Sequence, residues 1–98
     1  MFIGSLSLDL LLGDVHSLKE KRSVVRPIVA ELRRAFTVSV AETGHLDLHR
    51  RAEVGVSVVA PDPGHCTDVL DACERLVAGR PEVDLLAARR RIWDDSDE

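Results

Sequence analysis

His45, Asp47 and His49 stand at alternate positions, the spacing at which an extended strand turns three side chains to one face. Two imidazoles and a carboxylate so placed could hold zinc or a similar ion. No thiolate lies nearby in sequence, and the run HLDLH sits among turn residues. Polar hairpin side chains are therefore the expected role, and no metal is expected. Cys66 and Cys73 are seven residues apart, about 10.5 Å of rise on a helix. A disulfide needs Cα atoms within about 7 Å, so both are expected to be reduced, buried and inert thiols. No glycine-rich phosphate loop and no serine-centred elbow occurs. The remaining chemistry is charge. Residues 16–27 read HSLKEKRSVVRP, and four of the twelve are Lys or Arg.

What that run can do depends on the element that carries it. Ser17-x-x-Glu20 is a capping-box pattern, which starts a helix at Leu18. At 100° per residue, Leu18, Val25, Ile28, Val29, Leu32 and Phe36 form one apolar stripe. Pro27 lies opposite the stripe and is expected to bend the helix, the alternative being a helix that starts near Ser23. Before this helix, Phe2 to Leu12 alternates, with Leu6, Leu8, Leu10 and Leu12 against Ser5, Ser7 and Asp9, the pattern of a half-buried strand. After it, Phe36–Glu42 and Ala52–Ala60 alternate again and are expected to form a hairpin. Asp62-Pro63 opens a second helix, with Cys66, Val69, Leu70, Cys73, Leu76 and Val77 as its stripe and Gly79 at its end. Glu82 to Trp93 carries a fourth strand whose phase is lost at Arg89-Arg90-Arg91.

The order strand, helix, strand, strand, helix, strand is the split βαβ pattern. It implies an α+β, ferredoxin-like fold. Right-handed crossovers make this a four-stranded antiparallel sheet in the order 4-1-3-2, with both helices on one face. One domain over residues 1–93 is expected. The tail 94–98 holds Asp94, Asp95, Asp97 and Glu98, which account for the whole formal net charge of −4; it is expected to be solvated and mobile.

On the first helix Lys19, Arg22, Arg26 and Arg33 fall along a single flank. Glu31 falls on the opposite side, which the crossover handedness turns toward the second helix. The basic flank is thus expected to face outward, above the edge strand 36–42. Residues 17–35 carry a net charge of +4 and residues 62–79 a net charge of −3, so the helical layer is a dipole suited to an anionic partner. Covering the sheet edge with long aliphatic stems is the competing role for these side chains. On the open sheet face the expected residues are Ser5, Ser7, Asp9, Thr37, Ser39, Glu53 and Ser57. None can stack a base, which argues against RNA readout there.

Several segments resemble the small bacterial YlxP-like proteins, a domain of unknown function: GSLSLDLLL, HSLKEKRSVVRPI, VSVAE, residues 47–52 and GVSVV. The resemblance covers residues 1–60 well and the remainder by pattern. It implies the ferredoxin-like fold and no established catalytic residue. It also implies an association with translation, because family members are often encoded near initiation factor 2 and ribosome-binding factor A. Members often carry Trp where His49 stands.

The expectation is therefore a non-enzymatic cytoplasmic factor, without a cofactor, that binds structured RNA, with the small ribosomal subunit as the leading partner. Lys19, Arg22, Arg26 and Arg33 would contact phosphates, with Arg50 and Arg51 as helpers. The alternative is a protein–protein adaptor or a homodimer, formed through the edge strand or the open sheet face. No apolar run is long enough to span a membrane.

Overall fold

The computed structural model describes residues 1–96. Strand β1 (Phe2–Leu12) leads into helix α1 (Leu18–Ala35), followed by the hairpin β2 (Ser39–Gly44) and β3 (Arg51–Ala60). Helix α2 (Pro63–Ala78) and strand β4 (Val83–Asp94) complete the chain. All strand pairs are antiparallel and the order is β2-β3-β1-β4, the expected 4-1-3-2 arrangement counted from the other edge. Both helices pack on one face.

The core lies between that face and the helices. Leu6, Leu8, Leu10 and Leu12 of β1 are fully buried beneath Ile28 and Leu32 of α1 and Leu70 and Val77 of α2. Each such side chain contributes about 1.5–3 kcal/mol by leaving water, so the leucine row of β1 is the fold's main anchor. Gly4 lets α2 approach closely, since a Cβ there would stand 3.0 Å from a Leu70 methyl and 3.1 Å from Val58. Cys66 and Cys73 are free and buried on the inner stripe of α2, and burial raises the Cys73 thiol pKa.

The helix ends follow from local chemistry. Ser17 accepts a hydrogen bond from the Glu20 amide, while the Glu20 carboxylate accepts one from the His16 amide. Asp62 accepts from the His65 amide, with Pro63 behind it. Pro27 stays inside a single helix on its exposed side.

Strand boundaries and one strand's regularity differ from expectation. β2 begins at Ser39 rather than Phe36, because the Phe36 amide still bonds Leu32 and closes the helix. Thr37 therefore precedes the strand. β4 contains an irregularity at Leu86, between the pairs Leu10–Leu85 and Asp9–Ala87. An extra residue inverts the alternation beyond it. Asp94 belongs to β4, and Asp95 bonds the first residue through its amide and its carboxylate. The remainder of the expected tail, Asp97 and Glu98, lies outside the described residues.

Candidate nucleic-acid interface

Helix α1 turns Lys21, Val25, Ile28 and Leu32 inward. The opposite side carries Lys19, Arg22, Ser23, Arg26 and Pro27, which line one shallow depression. Spacings of three and four residues stack Lys19, Arg22 and Arg26 along about 10 Å of helix. All three are exposed, and none forms an ion pair with a carboxylate of the described residues. Glu31, on the other flank, pairs with Arg80 beyond α2.

The other three expected contacts are engaged within the chain. Arg33 reaches down to the edge of β2 and donates to the Val40 carbonyl at 2.6 Å. Arg50 donates through Nε to the carbonyls of Leu12 and Gly13 at 3.2 and 2.8 Å. Arg51 lies on the open side of the sheet, where its guanidinium donates to both oxygens of Asp9 at 2.8 and 2.6 Å. This contact holds the Asp9 carboxyl below its ordinary range and raises the Arg51 pKa. The six cations thus separate into an outward row of three and three side chains with internal acceptors.

Sequence reasoning missed Lys21. It is only 2% exposed, and four residues before Val25 it sits on the apolar stripe, a placement visible in the sequence. Its ammonium lies 2.8 Å from Glu42 Oε2 and donates to the His45 carbonyl at 2.7 Å. The Glu42 oxygen takes no well-angled hydrogen bond, so that contact is mainly Coulombic. His45 has φ 56, a left-handed conformation uncommon outside glycine. Its carbonyl also accepts from the Leu48 amide at 3.0 Å. Lys21 therefore ties α1 to the turn after β2. The His45 imidazole lies 3.5 Å from the Asp9 carboxylate. Among the described residues no group of three metal-ligating side chains converges.

The open sheet face also differs from expectation. The register places Trp93 beside Ile3, Arg91 beside Ser5 and Arg89 beside Ser7, with Val59, Ser57 and Gly55 on the far side of β1 in the same rows. The irregularity at Leu86 brings these β4 side chains to the open face, while Arg90 turns inward to Asp71 and Glu74 of α2. The face does carry an aromatic ring, and the Arg91 guanidinium covers it at 4.7 Å. Simple alternation from Val83 and Leu85 would have sent Trp93 to the core side.

Comparison with known proteins gives the fold and the family. The solution structure of a de novo designed protein with ferredoxin fold superposes with a TM-score of 0.56 at 12% identity, covering 99% of this chain and 89% of that one. The uncharacterized protein YlxP of Bacillus subtilis (strain 168) is 28% identical over 87 residues, 89% of this chain and 95% of YlxP. Residues 3–90 match the family described as protein of unknown function (DUF503), and the chain belongs to that family.

Proposed function

We propose that this protein is a non-enzymatic, cytoplasmic RNA-contacting factor whose docking site is the outward row of α1. One observation carries the reading: Lys19, Arg22 and Arg26 share a face and a depression, with no ion-paired carboxylate among the described residues. Three exposed cations in line suit a phosphate backbone, and contacts to phosphate fix position without reading sequence. Structured RNA is the proposed ligand, with the small ribosomal subunit the first to test. Arg33, Arg50 and Arg51 are assigned to the fold and not to the ligand. Three phosphate contacts correspond to a slope of log affinity against log salt of about −2 to −3.

The test replaces Arg22 and Arg26 together by Glu and follows co-sedimentation with small ribosomal subunits, with and without nuclease. Both positions are exposed, so the fold should persist while co-sedimentation falls at least about 100-fold. Equal co-sedimentation of variant and parent would refute the reading. So would parental binding that survives complete nuclease digestion, which indicates a protein partner.

A second reading, a homodimer through the open sheet face, is favoured by the state of the edges. Arg33 occupies an edge carbonyl of β2, and β4 carries an irregularity and three consecutive arginines. Both are features that discourage strand pairing. The open face offers Trp93, Ile3 and the exposed Val59 instead.

A further inference from the structure

We infer that the α1 site distinguishes RNA from DNA through the backbone carbonyl of Ser23, an inference that rests on the RNA reading above. In a regular helix that carbonyl accepts from the amide four residues later. Residue 27 is proline, so this amide hydrogen does not exist. The pyrrolidine ring also crowds the carbonyl four residues before it, pushing it off the helix axis. Ser23 and Pro27 are both exposed, so the displacement is toward solvent. The two residues line the depression that Lys19, Arg22 and Arg26 share.

The Ser23 hydroxyl does not substitute for the missing donor, because it donates to the Glu20 carbonyl at 2.6 Å. The depression therefore combines three donors of positive charge with one carbonyl that has lost its ordinary partner. Phosphate oxygens can only accept hydrogen bonds and would use the cations. The carbonyl, free of an amide partner, can accept from a donor on the ligand in place of water. On a nucleic-acid backbone the ribose 2′-hydroxyl supplies one, and deoxyribose does not. Pro27, a costly residue inside a helix, thus acquires a role: it opens an acceptor within a cationic row.

The probe is a short RNA hairpin compared with the same hairpin carrying 2′-fluoro at every ribose, which keeps the A-form shape and removes the hydroxyl donor. The parent should bind the RNA about fivefold to tenfold more tightly than the fluoro form, the worth of one hydrogen bond. Pro27→Ala restores the amide hydrogen and should bring that ratio close to one. Ser23→Ala removes only the hydroxyl and should keep the parental ratio. A parent that binds both hairpins equally, or a Pro27→Ala variant that retains the parental ratio, would overturn the inference while the docking site stands. Failure of the parent to bind either hairpin at low salt would instead overturn the RNA reading itself and this inference with it.

Discussion

Two sets of three cations, the outer row of α1 and the group around the β2–β3 hairpin and the start of β3, carry the same formal charge and have opposite fates. Lys19, Arg22 and Arg26 point away from the sheet and form no ion pair with a carboxylate of the described residues. Arg33, Arg50 and Arg51 stand beside an edge carbonyl, two turn carbonyls and a strand carboxylate respectively, and each is bound there. Formal charge is therefore a poor guide to available charge. What separates the sets is whether a backbone end or an acidic side chain lies within the reach of the stem. A helix face above solvent offers none, and a sheet margin offers several.

Lys21 lies within the first set in sequence, between Lys19 and Arg22, and gives the sharpest way to test the division. Lys21→Ala leaves Glu42 without its cation and the His45 carbonyl without its donor, in a site where the lysine is 2% exposed. Breaking a buried pair in this way costs about 3 kcal/mol or more. In a domain of this size that lowers Tm by more than about 10 °C. Lys19→Ala, two residues earlier on the exposed side, should change stability by less than about 0.5 kcal/mol. Thermal denaturation of the two variants decides the matter. Similar shifts in both would mean that burial of Lys21 contributes nothing beyond an ordinary surface lysine.

The fold was legible because each element advertised itself through a physical period. The leucine alternation of β1, the capping pair Ser17 and Glu20, and the Asp62-Pro63 start all appear where composition placed them. The candidate site was legible in part. Spacing alone puts Lys19, Arg22 and Arg26 on one side of a helix. Spacing cannot say that Arg33 finds the Val40 carbonyl, since that contact depends on where an adjacent strand ends. The face of Trp93 was not legible for another reason: one extra residue at Leu86 inverts a period of two, and nothing in the run LLAARRR marks the insertion. Lys21 could have been found, because its place on the apolar stripe is a matter of counting.

A reciprocal pair of variants extends the comparison to smaller effects. Arg51→Ala removes the partner of Asp9 in a half-exposed site and should lower stability by less than Lys21→Ala does, with RNA affinity unchanged. Arg22→Ala should leave stability unchanged and weaken RNA binding severalfold at moderate salt. Denaturant titration and hairpin binding, measured on both variants, should give opposite patterns. A loss of affinity in Arg51→Ala equal to that in Arg22→Ala would extend the docking surface over the sheet margin and dissolve the separation of the two sets.

The smallest effect is carried by protons. The Arg51 guanidinium holds the Asp9 carboxyl below its ordinary value of 3.8, so the folded chain takes up that proton less readily than the unfolded chain. The resulting stabilisation is fully present above that value and is lost as pH falls through the lower folded value. Asp94 is lowered as well, chiefly by the Ser96 amide, so it adds to the same acid limb. The amino terminus shifts the other way, raised from 8.0 by Asp95, and its contribution is present below that pH and lost above it. Asp9→Asn should therefore be less stable than the parent at neutral pH, with the gap closing as pH falls below about 3.8. Part of the acid limb should survive through Asp94. Lys19→Ala, drawn from the outward row, should follow the parent curve throughout, because Lys19 pairs with no carboxylate of the described residues whose protonation would change its surroundings. A gap for Asp9→Asn that stays constant down to pH 2 would show that Asp9 stabilises the sheet by shape and hydrogen bonding, and that the charge of Arg51 is as available as those of the helix row.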